Sequence, residues 1–249
     1  FALLKMKPAQ AKAQLPRENL SRAVWAGLRY VSMSPNLMIV ILRGFAFGAS
    51  ATAILALLPL VARDTLQGGA LVYGVLLGAF GIGAILGGLA NAGLRARFGS
   101  EAIVAGSFLG MAASAALIAS SSSIWLTTLF LLPAGASWVL ALSLFNVVVQ
   151  LSTPRWVVGR VLSIYQTAIF GGMTTGGWLW GNLSQHYGTP TALYLAGAAS
   201  VLGAAIGLLF ALPAFASRNL EPLDQFRVPS LQLDLQARSG PIFVMIEYD

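Results

Sequence analysis

Apolar residues run through the chain in six long blocks, at about residues 37–61, 70–93, 102–120, 124–148, 159–183 and 190–212. A helix needs roughly 20 apolar residues to cross a hydrocarbon core of about 30 Å, and each block meets that length. Lipid offers no partner to an open backbone group, so each block is expected to be helical. The polar connections are short. Arg63 and Asp64 mark the first, Arg95, Arg97 and Glu101 the second, and Ser120 to Ser123 the third. Ser152 to Arg160 form the fourth and His186 to Pro190 the fifth. Ahead of the first block, residues 18–32 carry a helical period. Leu20, Val24, Leu28 and Val31 share one face, with Arg22 and Arg29 opposite. Such a helix lies on a membrane surface or packs against its own protein, and the sequence leaves both open. Ser34-Pro35-Asn36 then ends it.

Charge gives this pattern an orientation. Thirteen of the fifteen Lys and Arg residues fall in segment 1–35, in the second and fourth connections, and in the tail. The odd-numbered connections carry only Arg63. Cytoplasmic loops collect Lys and Arg, so both ends are expected in the cytoplasm. Six spans, an even number, require both ends on one side. Charged residues make up 9 % of the chain and hydrophobic ones 57 %, where a soluble domain carries about 25 % charged residues. Most of the surface is therefore expected to face membrane lipid. The net charge of +7 then reports topology. A nucleic-acid module would gather its basic residues on one face among aromatics, and no such cluster occurs, so no nucleic-acid partner is expected. The chain has no Cys and a single His186, which excludes disulfides and Cys- or His-cluster metal sites. No cofactor or metal is expected.

The pattern divides the chain into a linker with an amphipathic helix at 1–35, a six-helix bundle at 36–212, and a polar tail at 213–249. Phe1 is not a start Met, and the chain is expected to be a fragment cut at both ends. Within the tail, Ile242-Phe243-Val244-Met245-Ile246-Glu247-Tyr248 follows Ser239-Gly240-Pro241 and has the character of a strand.

Two sets of residues inside the spans stand out. Glycines four apart recur in the second span, at Gly74 and Gly78 and at Gly83 and Gly87. They recur in the fifth at Gly172 and Gly176 and at Gly177 and Gly181. Small residues at this spacing let helix backbones approach closely in lipid. The second set is polar. Arg43 sits about two turns inside the first span, where it can line a wet cavity or snorkel to the interface. On the fourth span Ser143, Asn146 and Gln150 make one polar stripe, with Trp138 near the same face and Gln166 a weaker candidate on the fifth. A stripe of this kind lines a cavity or bonds a neighbouring helix. The first and fourth spans hold most of the polarity, the second and fifth the paired glycines. No Asp or Glu lies well inside a span, which argues against a membrane-embedded enzyme.

The stretch from Gly88 to Gly99, with Asn91, Arg95 and Arg97, resembles a degenerate form of the major facilitator superfamily's signature loop between its second and third helices, repeated between its eighth and ninth. Its usual acidic residue would stand at Asn91. Pro154 to Val161, with Arg155, Gly159 and Arg160 and followed by Tyr165, is similar to the cytoplasmic entry to that family's eleventh helix. The order of motifs from Tyr73-Gly74 to Gly181 looks like the enterobactin-exporter-like branch. The tail from Asp234 to Pro241 is similar to the joint where some relatives continue into a small α+β domain. The resemblance implies an all-α membrane protein, with six transmembrane helices as two inverted three-helix repeats, half of a major facilitator fold. A truncated soluble α+β domain would begin at its C-terminus. It implies proton-coupled export of a small amphipathic molecule, such as a siderophore or drug, by a chain whose N-terminal six-helix half is missing. The Arg-bearing loops would act as cytoplasmic gates. Substitution of Arg43 or Asn146 by Ala is then expected to lower export without lowering membrane abundance. The alternative is a non-transporting scaffold or an anchor for a cytoplasmic domain.

Overall fold

A computed structural model of the chain describes residues 20–212. The linker up to residue 19 and the tail from 213, with its expected strand and soluble domain, lie outside the described residues. Seven α-helices follow in order: α1 (Leu20–Ser32), α2 (Pro35–Leu60), α3 (Ala70–Arg97), α4 (Ser100–Ser120), α5 (Ile124–Leu151), α6 (Val158–Tyr187) and α7 (Thr189–Leu209). Pro59 removes a backbone donor near the end of α2, and the chain continues through a π-helical turn, Val61–Thr65. Five of these helices are long and apolar enough to cross a membrane: α2 with its π turn, α3, α4, α5 and α7.

The expected blocks and the observed helices agree in order and differ at their ends. The stretch Gly88–Gly99 was expected as a loop, but α3 runs on through Arg97 and leaves only Phe98 and Gly99 between helices. Leu, Ala and Arg are all good helix formers. At 1.5 Å per residue the 28 residues of α3 span about 42 Å, enough to pass through the headgroup layers. The connection between α6 and α7 is tighter still. Gly188 alone joins them, at φ 86°, a conformation that only glycine adopts freely. Pro190 then starts α7, where a missing N–H costs nothing.

Three helix pairs dominate the packing: α2 on α6, α3 on α5, and α4 on α7. The aromatic core lies where the first four long helices converge. Phe47 meets Phe108 edge-on with centroids 5.0 Å apart, and Phe145 and Trp138 at 6.2 Å, while Phe80 reaches Trp138 from α3. Glycines make the two crossing pairs possible. A Cβ on Gly83 would overlap the carbonyl of Leu132, and one on Gly87 the backbone of Ala136, both on α5. Gly172 and Gly176 stand in the same relation to Phe45 and Ala49 of α2. The other expected pairs take no part. Gly74, Gly78, Gly177 and Gly181 meet nothing within 4 Å among the described residues. The i, i+4 spacing is shared by both sets, but they occupy different faces of each helix.

The amphipathic helix α1 packs on α2 and α6 through a narrower strip than its apolar face suggested. Val31 is buried, Gly27 sits against Arg160 and Ile164, and Tyr30 meets the ring of Trp156 edge-on at 5.8 Å. Val24 and Leu28 remain exposed, as do Arg22 and Arg29.

Candidate functional site

The expected site residues separate into three places. Arg43, in the third turn of α2, is only 3 % exposed. Its Nη1 and Nη2 donate to the two carboxylate oxygens of Glu101, at 2.5 and 2.8 Å, and Nη1 also donates to the carbonyl of Phe210 at 3.3 Å. Glu101, in the first turn of α4, accepts a further bond from the backbone N–H of Leu212 at 2.8 Å. Arg43 is thus held by an ion pair near one end of the bundle. It ties the start of α2 to the start of α4 and the end of α7. Arg43 also lines a cleft of about 320 Å³ whose other walls are apolar, Leu42, Phe108 and Ile206 among them. A charge this far inside is tolerated because it is paired with an opposite charge in bidentate geometry.

Trp138 packs against aromatic rings. It belongs to the aromatic core, half-buried between Phe47 and Phe80. The rest of the α5 stripe stays together. Ser143 accepts a hydrogen bond from Nδ2 of Asn91 on α3 at 2.9 Å. One turn on, Oδ1 of Asn146 accepts from Nε2 of Gln150 at 2.8 Å. The Oδ1 of Asn91 is buried without a partner among the described residues. An amide whose acceptor is unused beside a serine that still has an O–H to donate is a site where one more polar group would be welcome.

Gln166 lies on α6, and its surroundings explain why α6 is absent from the helices apolar enough to cross a membrane. Its exposed residues include Ser163, Gln166, Thr167, Thr174, Thr175, Asn182 and Gln185, interrupted by the apolar Phe170, Trp178 and Leu179. The hydroxyls of Ser163, Thr167, Thr174 and Thr175 each bond the carbonyl four residues back, which lowers their cost in lipid. The amide of Gln166 makes no such bond among the described residues. Trp180, by contrast, is buried and fixed. Its Nε1 donates to the carbonyl of Ala49 at 2.7 Å, while Trp178 is exposed.

The expected gating residues lie mostly on helices. Gly88, Asn91, Arg95 and Arg97 occupy the last three turns of α3, Gly99 the two-residue connection, Arg155 the turn before α6, and Gly159 and Arg160 its first turn.

With this geometry in place, one family model matches residues 1–249, that of the transmembrane secretion effectors of the major facilitator superfamily. The chain belongs to that family. It is a multi-pass membrane protein of the transporter class. No curated protein matches the chain. The charge balance of the described residues is uneven. Among the described residues the acids are Asp64 and Glu101, and both are held, by Arg63 and Arg43. Arg22, Arg29, Arg95, Arg97 and Arg155 have no acidic partner among the described residues. In the sequence Glu101 marks only the connection between two blocks, and its pairing with Arg43 is not apparent there. The available signal is their placement: Arg43 and Glu101 both lie near the basic ends of their spans, so both belong to one side of the bundle.

Proposed function

We propose that this chain is the C-terminal half of a major facilitator exporter, helices seven to twelve of a twelve-helix parent in the enterobactin-exporter-like branch. It works in a bacterial cytoplasmic membrane with both ends in the cytoplasm. It carries no catalytic chemistry of its own and moves a small amphipathic molecule, such as a siderophore or drug, outward against protons. The observation that carries this reading is the exposed polar face of α6. A helix presenting Gln166 outward has to meet water or another protein, because an unpaired amide is costly in lipid. A solvated cavity shared with a second six-helix half supplies both.

Two further features support the architecture. Arg43 near the start of α2, Glu101 at the start of α4 and Phe210 just past α7 meet at one end. A path that crosses an even number of times between the start of α2 and the end of α7, with α6 as a sixth span, fits this meeting. The pairing of α2 with α6 and of α5 with α3 is what two inverted triplets produce, since the first and second members of each triplet exchange partners. Glycine contacts lock both pairs, so the six helices rock as one body. In the proposed cycle Ser143, Asn146, Gln150 and Gln166 line the cavity. Arg95 and Arg97 at the end of α3, with Arg155 and Arg160 at the entry to α6, close the cytoplasmic side. Segment 1–35 joins the halves, and the tail leads into a soluble domain.

The test uses the complete gene product in cells. Gln166→Leu and Asn146→Ala are expected to lower export of the transported compound while membrane abundance stays at the wild-type level. Normal export by both variants would remove these residues from the cavity. Arg43→Ala no longer belongs in this test, because its ion pair makes a loss of abundance the expected result.

A further inference from the structure

We propose that the groove between α1, α2 and α6 is a binding site for an anionic phospholipid. The site is independent of the transport reading: it needs α1 at a membrane surface and no particular substrate. The groove has a volume of about 790 Å³ and is walled by Trp25, Leu28 and Val31 of α1, Met38 and Ile41 of α2, and Ile164 of α6. Its polar lining is confined to Arg29 and Ser32. Ile41 and Ile164 lie in the second turns of long helices, so the groove runs from the end of the bundle toward the hydrocarbon level. An apolar channel of this size with a cation at its mouth matches an acyl chain below a charged headgroup.

Charge complementarity selects the headgroup. Arg29 lines the mouth, Arg22 is exposed on the same helix, and Arg155 precedes Trp156, whose ring touches Tyr30 of α1. None of these three arginines has an acidic partner among the described residues, where both acids are committed elsewhere. An anionic headgroup would bring these arginines a counter-charge. A soluble phosphate would satisfy the arginines and leave the apolar walls bare. A neutral lipid would fill the walls and leave the charge unmet. The exposed rings of Trp25, at 71 %, and Trp156, at 69 %, sit beside these cations, the arrangement found at the headgroup level of a bilayer. Exposed Val24 and Leu28 on α1 add apolar surface that a lipid face covers.

The test takes the complete gene product, purified in detergent, and measures retained lipid by native mass spectrometry during titration with phosphatidylglycerol or phosphatidylcholine. Phosphatidylglycerol is expected to be retained preferentially. Arg29→Gln should weaken it about fivefold, with phosphatidylcholine unchanged, since one juxtamembrane cation contributes about that factor. Arg95→Gln, on another helix end, should leave both lipids unchanged. In a second measurement, a photo-crosslinking amino acid replacing Met38 is activated in native membranes and is expected to capture phospholipid. Equal retention of the two lipids, or an Arg29→Gln variant that binds phosphatidylglycerol normally, would overturn the proposal. So would a cross-link from position 38 into polypeptide, since the groove would then belong to another part of the protein.

Discussion

The crossing of α2 with α6 and that of α3 with α5 use one packing device and differ in everything around it. In each, glycines on one helix receive the backbone of the other. Gly83 and Gly87 accept Leu132 and Ala136, and Gly172 and Gly176 accept Phe45 and Ala49. The partner helix answers with a glycine of its own, Gly135 against Phe80 in one crossing and Gly48 against Ile169 in the other. The surroundings then diverge. The α2–α6 pair has the bond from Trp180 to the Ala49 carbonyl, α2 is tied in addition to α4 through Arg43 and Glu101, and α6 turns a largely polar face outward. The α3–α5 pair has the single bond from Asn91 to Ser143, and α3 turns Val75, Ile82, Ile85, Leu86 and Leu89 outward. Glycines on the facing sides therefore let these helices meet. The polar pins and the outward faces decide what each pair can stand beside.

The largest expected effect lies in the pins. Glu101→Ala leaves the buried guanidinium of Arg43 uncompensated and frees the end of α7, at a cost of about 3–5 kcal/mol. Thermal melting of the purified protein should fall and membrane abundance with it. The double variant Arg43→Leu/Glu101→Leu should recover most of the loss, because two apolar side chains leave no orphaned charge. Hydrogen exchange should quicken in α2, α4 and α7 while the α3–α5 contact stays protected. Equal loosening of both crossings would break the comparison, since the two pairs would then share one support. The exposed pair of Arg63 and Asp64, adjacent in sequence, provides the contrast: Asp64→Ala should leave melting unchanged.

The glycines come next. Gly83→Ala and Gly176→Ala each force a methyl group onto a neighbouring backbone, which cannot yield as a flexible side-chain end would. Each should cost about 1–3 kcal/mol in melting experiments, despite the roughly 1 kcal/mol that Ala gains over Gly in helix propensity. Similar losses at both positions are expected. A large loss at one and none at the other would show that a single crossing holds the bundle.

Both the agreement and the misses in the sequence have physical causes. Long apolar blocks report helices faithfully, because length and hydrocarbon thickness are linked. Their order was legible for that reason, while the block that became α6 is too polar to count among the helices apolar enough to cross a membrane. The ends were not, as α3 shows: Ala, Leu and Arg continue a helix into water as readily as they end it. Glycine spacing revealed that α3 and α6 make close contacts, but it could not distinguish Gly83 and Gly87 from Gly74 and Gly78. Which face meets a partner depends on rotation about the helix axis, and a uniformly apolar helix carries little signal for that. Arg43 was visible as an intramembrane charge. Its partner sits 58 positions away on α4, a distance over which one sequence has no periodicity to follow.

The smallest expected effect tests the outward faces. Gly177 is adjacent to the tightly held Gly176, yet a Cβ there meets nothing within 4 Å among the described residues. Gly177→Ala should leave melting unchanged or raise it slightly, by the 0.5–1 kcal/mol or so that a helix-interior glycine forfeits. The larger Gly177→Leu should also fold. Its informative readout is export by the complete gene product. If the polar face of α6 lies against the other half, a leucine there should lower export at unchanged melting and abundance. Gly78→Leu on α3 adds one apolar side chain beside Val75, Leu77 and Ile82, which are already exposed, and export should persist. Normal export by Gly177→Leu would put open water or lipid beside α6, and the contrast between the two outward faces would then have no bearing on transport.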